Sequence, residues 1–211
     1  MKRIAFLFDE SNDWLAQYYT TYFSEMKEFD IYKLYDEREV RGFDVVFVLG
    51  YTKLLKGEIL EANNLLLVVH ESNLPKGRGF APIQWQILEG AHDITVCLLK
   101  ISNKADTGDI FEKILLSLDG TELYDEIRIK QAEITFELIR RFLHKYPNVS
   151  FEKQYGEPTF YRRRNPSDSQ LDIDESIRQQ FNLLRVCNNT DWPAFFELSG
   201  VRYKIKIEKT K

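Results

Sequence analysis

Cysteine is scarce. The 211-residue chain has two, Cys97 and Cys187, far apart and without metal-ligand spacing or further partners. A disulfide framework and a thiolate metal cluster are thereby disfavoured, and reduced structural thiols are expected. A long apolar run is also missing, since Lys2-Arg3 is followed only by residues 4–8 before Asp9. That is too short for a signal peptide or a membrane span, so a cytoplasmic protein is expected. Nor is there an excess of positive charge: 29 Lys and Arg stand against 33 Asp and Glu, mixed along the chain, for a net −4. No field favours nucleic acid or an anionic membrane. The chain has no internal repeat and no low-complexity stretch. With 44% hydrophobic residues it suits one ordinary domain plus a small appendage.

Strand and helix patterns alternate over the first two thirds. Residues 4–8, 45–49 and 65–69 are apolar runs with the character of buried strands. Shorter or less regular strands are expected at 31–34, 94–99 and 110–118. Helices are predicted at 14–26, weakly at 53–62, and at 82–89 before Gly90. A longer one covers 121–145, where Leu123, Ile127, Ile134, Leu138 and Phe142 form a stripe that Pro147 ends. The expected class is α/β with a mostly parallel sheet. Residues 1–147 would form the main domain. The tail, 148–211, is polar and proline-punctuated at first. Asp174 then caps a helix bearing Ile177, Phe181 and Leu184, and a hairpin turns at Ser199-Gly200.

The chemistry is expected where the run 65–69 delivers His70 to a strand's carboxyl end, the usual place for sites in open α/β sheets. Gly77 and Gly79 permit a tight loop, and Pro82 opens the next helix. His70 is the only histidine so placed; His92 and His144 look like surface residues. Asp106 follows the neighbouring predicted strand, where it can orient the imidazole and fix its tautomer.

The stretch His70-Glu71-Ser72-Asn73-Leu74-Pro75, with Arg78-Gly79 and Ala81-Pro82-Ile83-Gln84, resembles the signature of the folate-dependent formyltransferases. Asp106-Thr107-Gly108-Asp109-Ile110 resembles that family's second signature. The resemblance implies a Rossmann-like formyltransferase fold and 10-formyltetrahydrofolate as formyl donor, with no metal. It also implies His70 and Asp106 as catalytic residues. Formyl transfer to an amine needs a base for the amine's proton and a donor for the oxygen of the tetrahedral intermediate. The family usually has asparagine two residues before the histidine, where this chain has Val68. Asn73, in the loop, is one candidate to supply the missing amide, and a backbone amide or water is another.

Around that centre, the resemblance assigns the wall of the pterin to Gly50 and Tyr51 and to the loop holding Ile101, Lys104 and Ala105. Lys76 and Arg78 either meet a diphosphate or solvate their loop. Arg162, in the run Arg162-Arg163-Arg164, either binds a phosphate or belongs to a solvated face. Trp85 faces the core or a substrate base, with the core favoured.

The tail resembles that of the small sugar-nucleotide formyltransferases, which implies a nucleotide-linked amino sugar of the 4-amino-4,6-dideoxy type as acceptor, for surface polysaccharide or nonulosonic acid synthesis. The methionyl-tRNA enzymes of the family carry a larger carboxyl-terminal domain and a basic surface, so tRNA is not expected here. A formyl-folate hydrolase, a methionyl-tRNA formyltransferase-like enzyme and a non-catalytic folate-binding module are the alternatives. A homodimer is left open.

Overall fold

The computed structural model describes residues 1–23, 26–55 and 57–210. In chain order its strands are β1 (Lys2–Phe8), β2 (Phe29–Leu34), β3 (Val45–Leu49), β4 (Leu66–His70), β5 (Arg78–Gly79), β6 (Asp93–Lys100), β7 (Ile110–Ser117), β8 (Phe160–Tyr161), β9 (Ala194–Leu198) and β10 (Val201–Ile205). The helices are α1 (Tyr19–Phe23), α2 (Gly57–Glu61), α3 (Pro82–Leu88), α4 (Tyr124–Lys145) and α5 (Phe181–Arg185).

The central sheet has the order β2-β1-β3-β4-β6-β7. Its β2, β1, β3 and β4 are mutually parallel, and β6 and β7 are added antiparallel. The fold is the expected Rossmann-like, mostly parallel one. Strands β1 and β3 are covered on both faces, which is why they read as unbroken apolar runs. Ile4, Phe6, Phe8, Val45, Phe47 and Leu49 join the larger core with α4. Ala5, Leu7, Val46 and Val48 pack into a second cluster on the other face.

Helix α4 lies on β6 and β7. Glu126 accepts a hydrogen bond from the Leu123 backbone N–H at 2.8 Å, satisfying one free N–H at the helix start. Asp125 and Glu126 stand in the first turn and His144 and Lys145 in the last, each favourable to the helix dipole. Extended Tyr146 precedes Pro147 and ends the helix.

Three predicted helices shrink; the one expected at 53–62 is helical at Gly57–Glu61, with residue 56 outside the described residues. Of the span 14–26, only Tyr19–Phe23 is helical; residues 24 and 25 lie outside the described residues. Its aromatic spacing reflects burial, with Tyr19 and Phe23 against Phe6, rather than helical continuity. The helix expected from Asp174 is confined to Phe181–Arg185, and Ile177 is 73% exposed. Before it, Gln180 Oε1 accepts from the Asp172 N–H at 2.7 Å and its Nε2 donates to Asp172 O at 2.9 Å. Such side-chain bonds compete with the helical ladder. The hairpin β9–β10 forms as expected, through Ala194–Leu198 and Val201–Ile205.

Candidate active site

Strand β4 ends in His70, which is only 6% exposed. Along β4, Leu67 and Val69 point into the larger core, while Val68 joins Leu74, Cys97, Leu99 and Ile110 in a small apolar cluster on the opposite face. His70 shares that second face with Val68, two residues earlier.

Each ring nitrogen of His70 has one neighbour. Nε2 lies 2.8 Å from the Gly77 carbonyl oxygen. A carbonyl only accepts, so Nε2 carries a proton and donates it. Nδ1 faces Asp106 Oδ1 at 3.5 Å. The other carboxylate oxygen, Oδ2, accepts from the Gly79 N–H at 2.9 Å. Gly77 and Gly79 both have positive φ, and a Cβ on Gly79 would lie 2.3 Å from Tyr161 O, so only glycine lets the loop approach this closely.

Asp106 reaches the histidine by a route that chain order does not reveal. Because β6 runs antiparallel to β4, Lys100 at its end lies opposite Leu67 and not opposite His70. The loop 101–109 therefore returns about 10 Å, three residues at roughly 3.3 Å each, along β4. Asp106 sits in this loop at φ 56.

Cys97 pairs with His70 across the sheet, and its thiol donates to Ser72 O at 3.0 Å. Burial pushes that thiol up to about 11, which leaves it a poor nucleophile.

The other expected site residues divide. Tyr51 and Ile101 pack against one apolar cluster, and Gly50 turns beside them at φ 63 with its carbonyl accepting from Asn12 Nδ2 at 2.8 Å. Tyr51 also lines a cleft of about 430 Å³ at the carboxyl ends of β1, β2 and β3, with its hydroxyl donating to Glu37 Oε2 at 2.5 Å. Burial first, and then this carboxylate, push the phenol up. The Lys104 carbonyl accepts from the Ser102 and Thr107 hydroxyls, each at 2.9 Å, while Lys104 and Ala105 are exposed.

Asn73 is exposed, and its Oδ1 accepts from Lys113 Nζ at 2.8 Å. No hydrogen bond joins it to His70 or Asp106 among the described residues. Lys76 is exposed, whereas Arg78 turns inward and donates to Gln154 Oε1 at 2.7 Å. Arg162 is paired within the chain, donating through two nitrogens to Asp168 at 2.7 and 2.5 Å. The Arg162 guanidinium also lies 4.7 Å from the Trp85 ring centroid. Trp85 is half-buried against the tail, with Nε1 donating to Arg162 O at 2.9 Å, so it is neither a core residue nor a free stacking platform.

Residues that sequence reasoning passed over complete the site. Thr159 Oγ1 accepts from the Gly77 N–H at 2.8 Å, and β8 pairs in parallel with β5. Gln154 Nε2 donates to Asp106 O and Gly108 O, both at 2.9 Å. The tail segment 154–161 thus laces the two loops that carry the His70–Asp106 pair. Nothing in a polar, proline-punctuated stretch signals such a role.

A doubly covered sheet with a histidine–carboxylate pair over glycine-rich loops defines an α/β protein equipped for proton transfer at a strand end. The formyl transferase family matches residues 4–139, and the chain belongs to that family. A methionyl-tRNA formyltransferase of Francisella philomiragia is 29% identical over 164 residues, 77% of this chain and 52% of the relative. The chain spans about half the length of the curated relatives it matches. Three solved structures share the fold. A methionyl-tRNA formyltransferase from Clostridium thermocellum has a TM-score of 0.86 at 23% identity, covering 100% of this chain and 94% of that one. A sugar N-formyltransferase from Shewanella has 0.76 at 14%, covering 100% of both chains. HypX from Aquifex aeolicus, in complex with tetrahydrofolic acid, has 0.77 at 17%, covering 97% of this chain and 37% of that one.

Proposed function

We propose that the protein is an enzyme transferring the formyl group of 10-formyltetrahydrofolate to the amine of a nucleotide-linked amino sugar. The observation that carries the reaction type is the His70 imidazole, with Nε2 committed to Gly77 O and Nδ1 facing Asp106 Oδ1 at 3.5 Å.

When bound, the donor supplies an electrophilic formyl carbon. The apolar wall of Tyr51 and Ile101 and the close backbone turn at Gly50 suit a flat pterin ring held largely by main-chain groups. With Nε2–H fixed by the Gly77 carbonyl, the free lone pair of His70 is on Nδ1. The gap between Nδ1 and Oδ1 exceeds a hydrogen bond, so an amine N–H can face both atoms. His70 Nδ1 takes the proton that the attacking amine loses, Asp106 stabilises the imidazolium so formed, and the proton passes to the folate nitrogen as its bond to the formyl carbon breaks. That cation also opposes negative charge growing on the formyl oxygen, at a site where Val68 offers no donor. Asn73 is the weaker candidate for that donor, because the residue is exposed and no hydrogen bond joins it to His70 or Asp106 among the described residues.

The acceptor reading is supported by the net charge of −4, which gives no counter-field for a polyanion. The full-length overlap with a sugar N-formyltransferase also supports it. A methionyl-tRNA acceptor is the second reading, favoured by the TM-score of 0.86 to an enzyme of that name. The test is incubation with 10-formyltetrahydrofolate and a panel of UDP- and dTDP-linked amino sugars, read as a mass gain of one formyl group. Charged initiator tRNA forms a parallel arm, and formate release without acceptor reports hydrolysis. Transfer to a sugar is the expected result. Faster transfer to tRNA would overturn the acceptor, and folate binding with neither transfer nor hydrolysis would overturn the enzyme.

A further inference from the structure

The tail residue Gln154 lies outside the segment 4–139 matched by the family, and every hydrogen-bonding atom of its amide is committed near Asp106. Its Nε2 donates to the Asp106 and Gly108 carbonyls, both at 2.9 Å. Its Oε1 accepts from the Arg78 guanidinium at 2.7 Å. The amide can face only one way, since carbonyls never donate and a guanidinium never accepts.

These bonds close a ring around Asp106. Arg78 is covalently joined to Gly79, whose N–H holds Asp106 Oδ2 at 2.9 Å. The side chain of Asp106 is thus fixed from the glycine loop, and its backbone is fixed from the tail. Asp106 needs both, because its φ of 56 lies in the left-handed region that L-residues populate sparsely. Such a conformation persists only where its surroundings over-determine it. The loop is also pressed from behind: a Cβ on Gly108 would sit 1.8 Å from Lys100 O, so the chain there has no slack to recover a lost anchor.

We propose that Gln154 is a positioning residue, which holds the Asp106 loop so that Oδ1 stays opposite His70 Nδ1. The inference rests on the proposed reading of His70 and Asp106 as the reactive pair. Gln154 touches neither Nδ1 nor Oδ1; it acts through the Asp106 backbone and through Arg78.

The experiment uses the full chain carrying Gln154→Met, which keeps the length of the side chain and removes its bonds. Gln154→Glu retains the acceptor for Arg78 but sets an acceptor oxygen against two carbonyls. With formyl-folate and the best acceptor of the panel, both variants should lose about 10–10²-fold in kcat, the effect of slightly misplaced reacting groups, with KM for either substrate within about threefold. Nitrogen-15 NMR of the His70 ring supplies a readout that needs no turnover. In Gln154→Met the Nδ1 resonance should move most of the way to its position in Asp106→Asn. Unchanged kcat and unchanged ring shifts would overturn the inference, as would a lower thermal midpoint with neither of those effects. If Gln154→Met does not fold, Gln154→Glu carries the same two readouts. A wild-type protein with no transfer at all would sink the reaction reading, while the ring shifts would still decide whether Gln154 sets the pair.

Discussion

A single imidazole with its two nitrogens assigned makes sharp demands on substitution. His70→Gln removes the titrating nitrogen at similar reach and should lower kcat by about 10²–10⁴-fold, the usual size for a lost general acid or base. Steady-state kinetics with a sugar acceptor would check this, and near-normal turnover would mean that another group takes the proton. Asn73 is a sharper case, because sequence and geometry pull apart. As the replacement for the amide missing at Val68, it should cost about 10²–10³-fold on change to alanine. The residue is exposed and shares no hydrogen bond with His70 or Asp106 among the described residues, so Asn73→Ala should cost less than about tenfold in the same assay. His70 and Asp106 were legible because each stands in a short local motif. The Gly77 carbonyl, the Gly79 amide, Thr159 and Gln154 were not, since they act through backbone groups or across long separations in chain.

At the level of elements, the buried strands and the short helix α3 were legible, and the extent of α1 was not. Burial on both faces of β1 and β3 writes itself as an unbroken apolar run, whereas the aromatic residues of 14–26 are buried from turns as well as from α1. Helix α4 was legible because its stripe is long; Phe136 at its centre is fully buried, 4.9 Å from the Tyr22 ring and 5.5 Å from that of Phe23. Phe136→Ala should destabilise the fold by about 3–5 kcal/mol, measured by denaturant unfolding. The approach to α4 has its own pH signature. Burial pushes the Glu122 carboxyl up, but Lys130 and the backbone N–H groups of Asp119 and Gly120 outweigh it and hold the group at about 2. Arg185 of α5 donates to the same carboxylate at 3.2 Å. A carboxyl whose folded value is depressed contributes stability above its unfolded value, about 4.3, and loses it as pH falls toward the folded one. Glu122→Gln should therefore melt below the parent at pH 7, with the gap narrowing between about pH 4.3 and 2.

For the molecule as a whole, the net charge of −4 and the lacing of the tail matter most. The boundary expected at 147 separates sequence character. Across it, Thr159 and Gln154 of the second part bond Gly77, Arg78, Asp106 and Gly108 of the first. The Gly77–Thr159 bond spans 82 residues. A ribosome adding roughly 5–20 residues per second would expose the glycine loop some 4–16 s before its partner strand is made. During that interval the sheet strands β6 and β7 are made, but the tail that fixes His70 and Asp106 does not yet exist. Maturation of the site is thus a late event in the life of the nascent chain, and a ribosome stalled short of residue 154 would hold a protein with its histidine in place and no fixed partner for it.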